Sequence, residues 1–90
     1  MRHASLTLRI ERRSDGDHTV LHLSGRIQSE HLEVLKAEMR GDGAGIALDQ
    51  EEVMLVDRDA VSFLSLCEAA GVRLLHCSPY IRAWILREQT

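Results

Sequence analysis

Leu6, Leu8 and Ile10 alternate with Thr7, Arg9 and Glu11. A period of two puts one set of side chains on a buried face and the other on a wetter one, which predicts a strand. Ser14-Asp15-Gly16-Asp17 supplies turn chemistry. Thr19, Leu21 and Leu23 then alternate with His18, Val20, His22 and Ser24, predicting a second strand and a hairpin. Gly25 interrupts that pattern. Ser29 precedes Glu30 and Glu33, so its hydroxyl can accept from free backbone N–H groups while the acids suit the dipole of a helix start. Leu32, Leu35, Ala37 and Met39 form an imperfect stripe, so a first helix is predicted over about residues 30–40, stopped by Gly41-Asp42-Gly43.

Ile46-Ala47-Leu48 is a short apolar run of the kind that suits a strand covered on both faces. Asp49 to Glu52 is polar, and Val53-Met54-Leu55-Val56 is apolar again, either extending the sheet edge or folding over the core. Asp57 reads as the N-cap of the strongest helical segment. Ala60, Val61, Leu64, Cys67 and Ala70 follow at spacings of three and four, with Phe63 and Leu66 widening the apolar side, and Gly71 ends the run. Val72, Leu74 and Leu75 predict a short strand. Cys77-Ser78-Pro79 breaks it, and Pro79 opens a last amphipathic helix carrying Ile81, Trp84 and Ile85. The predicted fold is α/β, one domain over residues 1–90 in the order β-β-α-β-α-β-α. Right-handed crossovers place its helices together on one face of a mixed sheet. The other face is then poorly covered, unless a partner or a neighbouring domain lies against it.

Composition narrows the function. Ninety residues give one modest core, and with aromatics at only 3% that core is aliphatic. The net charge is −3, and Lys36 is the only lysine, with the arginines scattered, which argues against nucleic acid as a partner. Cys67 and Cys77 form no CxxC pair, so a reduced, cytoplasmic setting is expected. No apolar run approaches the ~20 residues that cross a bilayer, and no membrane insertion is expected.

The stretch Leu48-Asp-Gln-Glu-Glu-Val-Met-Leu-Val-Asp-Arg-Asp-Ala60 resembles the signature of STAS domains, the family of bacterial anti-sigma-factor antagonists and of sulfate-transporter cytoplasmic domains. There a strand ends in Asp-Leu, and a Val-x-x-Ile-Asp-Ser-Ser-Gly segment then opens a helix. Asp49, Val53, Val56 and Asp57 fall on matching positions. His22-Leu-Ser-Gly-Arg-Ile27 resembles the family's apolar-x-Gly-x-Leu/Ile step, Ala70-Gly-Val-Arg-Leu-Leu75 its Gly-Val-Arg-Leu strand entry, and Pro79 the start of its last helix. The resemblance spans nearly the whole chain. It implies a non-catalytic module in signalling and transcription regulation that binds an anti-sigma factor or a kinase-like ATPase. The alternatives it implies are a subunit bound to the ATPase of an ABC-type membrane transport complex, or a small-ligand sensor; a homodimer is a further possibility. The chain departs from the family where switching occurs. The phosphorylated serine's neighbourhood holds Arg58, Asp59 and Ala60, and Ser62 lies one turn further on. Asp49, Asp57, Arg58, Asp59 and Ser62 are therefore the expected partner-binding residues, centred on the start of the 58–70 helix and the loop after Asp49, without a serine phospho-switch.

Other features read as structural. His18 and His22 share a strand face about 13 Å apart, too far for one ion. His76 and Cys77 are adjacent and point to opposite faces, so no metal or cofactor is expected. Cys67 belongs to the apolar side of its helix. Gly41-Asp-Gly-Ala-Gly45 follows a helix and precedes a strand, the reverse of a phosphate cradle. No nucleophile elbow accompanies Asp49 or Asp57, so no enzyme is expected.

Overall fold

The alternating N-terminal segment pairs with itself as a hairpin. In the computed structural model, which describes residues 7–40 and 45–89, β1 (Leu8–Asp15) runs antiparallel to β2 (His18–Ile27). The two-residue connection is Gly16-Asp17, and Gly16 has a φ of 65°, the conformation glycine supplies at the first central position of a type II′ turn. The predicted start of the strand at Leu6 and the Gly41-Asp42-Gly43 stop lie outside the described residues. β3 (Ile46–Val56) pairs parallel with β2, and β4 (Arg73–Leu75) pairs parallel with β3. The sheet order is β1-β2-β3-β4. The helices α1 (Leu32–Met39), α2 (Arg58–Ala69) and α3 (Pro79–Glu88) complete the β-β-α-β-α-β-α order. Among the described residues no helix is long and apolar enough to cross a membrane.

All three helices feed one core. Leu35 of α1, Val61 and Leu64 of α2, and Ile81 and Ile85 of α3 pack with Leu21, Leu23 and Leu48 of the sheet. Leu21 lies opposite Leu48, and the next pair along, His22 and Asp49, projects to the other face. One face of the sheet is therefore aliphatic and covered by helices. The other carries Arg9, Glu11, His22, Ser24, Asp49 and Glu51.

Three local readings of the sequence are corrected. Gly25 does not end β2: the strand passes through it with irregular register on either side, at a φ of 99°. A Cβ there would overlap the Thr7 carbonyl, which accepts from the Arg26 N–H at 2.6 Å. Ser29 does not cap the first helix. Gln28 opens a 3-10 turn over Ser29–His31 that leads into α1, and buried His31 accepts the Gln28 N–H at Nδ1 (3.0 Å). Its Nε2, which must then carry the ring proton of the neutral form, donates to Thr7 Oγ1 at 2.9 Å. Finally, no loop follows Asp49. The two apolar runs and the polar stretch between them form one strand of 11 residues. β4 covers only Ala47 to Asp49, so the strand beyond has β2 on one side alone, where polar residues protect an open edge.

Gln50 is the exception to that polar logic. It is 1% exposed, and neither side-chain amide atom has a hydrogen-bond partner among the described residues. An unpaired buried amide costs about 1–3 kcal/mol. Gln50→Met, which keeps the volume and removes the polar atoms, is expected to stabilise the domain by ~1–2 kcal/mol in urea unfolding, at unchanged slope.

α3 is started by Ser78, whose hydroxyl accepts the Ile81 N–H at 3.2 Å, with Pro79 in the first turn as predicted. It is held to α2 by Arg82 donating to Glu68 at 2.8 Å. That hydrogen bond, reinforced by the guanidinium charge and resisted by partial burial, holds the Glu68 carboxyl below its usual value of 4.5. The stabilisation is therefore complete above the unfolded pKa and disappears as pH falls through the lower folded value. The pair is about one-third exposed, so solvent screening limits it to ~0.5–1 kcal/mol. Glu68→Gln should lower the melting temperature by a few degrees at pH 7, and the difference from wild type should close in melts carried down through the lowered folded pKa of the carboxyl.

Candidate functional site

β3 feeds directly into α2 through Asp57, which has an extended backbone suited to a helix cap. Its Oδ1 accepts the Ala60 N–H at 2.9 Å, and its Oδ2 accepts the Ser29 N–H at 2.8 Å. Its own N–H donates to the Ile27 carbonyl at 3.2 Å. One carboxylate thus satisfies the first turns of two helical segments and ties the ends of β2 and β3 together.

The next residues face outward. Arg58 and Asp59 are exposed, and the Arg58 Nε lies 4.0 Å from the Glu88 carboxylate, a loose contact at the edge of ion-pair range. Ser62 donates from Oγ to Glu88 Oε1 at 3.4 Å. Arg58, Ser62 and Leu66 recur every four residues and so share a helix face. Leu66 is 70% exposed, and Met54, just ahead of the helix, is 77% exposed. A charged helix start is thus flanked by two large apolar side chains standing in solvent.

Asp49 is elsewhere. It sits eight residues before Asp57 on the same extended segment, roughly 25 Å of strand away, and faces the helix-free side. Four of the five expected partner residues come together; Asp49 does not join them. It is 7% exposed despite lying on the open face, because neighbouring groups converge on it. His22 Nδ1 lies 3.0 Å from Oδ2, and His76 Nδ1 lies 3.0 Å from Oδ1, which also accepts the Glu51 N–H at 3.0 Å. Burial pushes the Asp49 carboxyl up, but the Glu51 N–H, the His76 hydrogen bond and the charges of both imidazoles outweigh it and hold the group below its usual range. The hydrogen bond to Asp49 and the carboxylate charge raise His76. His76 has a φ of 55°, uncommon for a residue with a Cβ, and follows directly after β4.

His22, Glu51 and His76 are the residues that sequence reasoning missed. Treating residues 46–56 as one strand would have placed Asp49 and Glu51 on one face by their spacing of two. The pairings with His22 and His76 come from parallel register and a left-handed turn, for which the sequence carries no local signal. Cys67 packs in the core, where burial pushes its thiol up to about 11, and Trp84 packs partly against that core.

No protein-family model matches the chain, and no curated protein matches it.

Proposed function

We propose that the domain is a non-catalytic protein-interaction module of the anti-sigma-factor-antagonist type, binding a regulatory protein through the exposed side of α2. The observation that supports this reading is the exposure of Arg58, Asp59 and Leu66 on α2, with Met54 also exposed just ahead of the helix. Solvent-exposed apolar side chains beside uncommitted charges are the usual make-up of a protein interface, with apolar anchors supplying affinity and charges supplying orientation. Arg58 makes only a loose contact with Glu88 at 4.0 Å, and the N-terminal cap of α2 is supplied by Asp57. The family resemblance supports the same surface.

Binding is constitutive in this reading. Asp59 supplies a fixed negative charge near the helix start, and Ser62 lies against the Glu88 carboxylate, where a phosphate of about −2 charge would be repelled. Incubation with a kinase-like anti-sigma partner and ATP should leave the intact mass of the domain unchanged.

The surface is tested by affinity capture from the native lysate with quantitative mass spectrometry. The double charge reversal Arg58→Glu with Asp59→Arg, and separately Leu66→Asp, should each reduce recovery of the captured partner about 10-fold or more without moving the melting temperature. Undiminished recovery with both variants would place the binding surface elsewhere.

A further inference from the structure

The helix-free face carries a second constellation that partner binding through α2 does not use. We propose that Asp49, Glu51 and His76 bind one divalent transition-metal ion of the Zn2+ class, with His22 holding the Asp49 carboxylate in place from behind. One ligand atom from each of Asp49, Glu51 and His76 lies within 4.8 Å of the other two. Ligands around a tetrahedral ion at about 2.0–2.1 Å stand roughly 3.3 Å from one another, so closure needs a movement of about 1 Å or more. Glu51 and His76 are exposed and free to make it by side-chain rotation, whereas Asp49 is the buried, fixed member.

The donor chemistry selects the ion. Two carboxylates and one neutral imidazole balance a 2+ charge, and an imidazole ligand favours Zn2+, Co2+ or Ni2+ over Mg2+ and Ca2+. Asp49 Oδ1 and His76 Nδ1 already face each other at 3.0 Å, so an ion entering between them replaces a hydrogen bond with shared coordination. The His22 Nδ1–H, donating to Oδ2 at 3.0 Å, is an outer-shell support of the kind that orients ligating carboxylates. The three ligands leave at least one position open to solvent on the exposed face. Bound there, the ion clamps the connection between β4 and α3 onto the centre of β3.

Isothermal titration of the chelator-treated full chain with Zn2+ tests the site. One ion per chain is expected, and ion-dependent elevation of the melting temperature should accompany it. His76→Asn, which tolerates the left-handed backbone, and Glu51→Gln should each weaken binding more than about 10-fold, and His22→Ala should weaken it about 10-fold or more through the outer shell. His18→Ala and Cys77→Ser should leave it unchanged. Far-UV circular dichroism of the two exposed-ligand variants confirms that they fold. In the Co2+ form, a d–d spectrum without a thiolate charge-transfer band is expected. No binding, equal binding in both ligand variants, or a thiolate band each overturns the proposal.

Discussion

Gly25→Ala should lower the melting temperature by roughly 12–40 °C, from a loss of about 3–5 kcal/mol at some 4–8 °C per kcal/mol for a domain of this size. Two costs combine. A φ of 99° is a region that a residue with a Cβ adopts only at about 1–3 kcal/mol. In addition, the new Cβ would overlap the Thr7 carbonyl oxygen, a backbone atom that cannot rotate away. The start of β1 must then move, which breaks the Arg26–Thr7 hydrogen bond and disturbs the His31 ring that Thr7 holds. Gly16→Ala is the control. Its φ of 65° is also positive, but nothing lies within 4 Å of its Cβ position, so it carries only the conformational cost, about 1–2 kcal/mol. Thermal melts followed by circular dichroism separate the two variants. Equal losses would mean that close approach of the chains at Gly25 contributes nothing.

Asp57→Ala should cost about 2–3 kcal/mol, more than a simple cap, which contributes roughly 0.5–2 kcal/mol. The excess arises because the same carboxylate serves the Ala60 and the Ser29 N–H groups, and both lose their acceptor at once. Asp57→Asn retains one acceptor oxygen and turns a donor toward the other N–H, so it should lose about half as much. Urea unfolding at pH 7 reads both. If asparagine costs as much as alanine, the stabilisation is electrostatic in origin rather than a matter of two hydrogen bonds. The pair also separates stability from binding. A partner that recognises Asp57 itself would be lost with asparagine at temperatures where the domain remains folded.

The order of elements was legible because it rests on periodicity. Leu8 and Ile10, Leu21 and Leu23, and Ala60, Val61 and Leu64 each point one way at the spacing of their own element, and the core is built from those positions. Local chemistry was equally plain at Asp57 and at Pro79, where the helix start depends on residues adjacent in sequence, although the Ser78 cap itself was not read. What was not legible depends on neighbours distant in the chain. Gly25 looked like a strand breaker because its constraint is the Thr7 carbonyl across the hairpin. Residues 49–52 looked like a loop because the short length of β4, which exposes that edge, is set by a turn more than twenty residues later. Ser29 looked like a cap because the acceptors of that helix start come from His31 and from Asp57 across the fold. The association of Asp49 with the α2 surface came from sequence proximity, and parallel pairing with β2 turns it toward His22 on the opposite face.

The placement of the binding surface on α2 rather than on the open sheet face is tested most directly by the footprint of the captured partner. With that partner titrated into the 15N-labelled domain, backbone amide shifts should concentrate at Met54, Leu55, Arg58, Asp59, Ser62 and Leu66, while Arg9, His22, Asp49 and Glu51 remain unperturbed. Shifts confined to the open-face residues, with α2 silent, would contradict the proposed function.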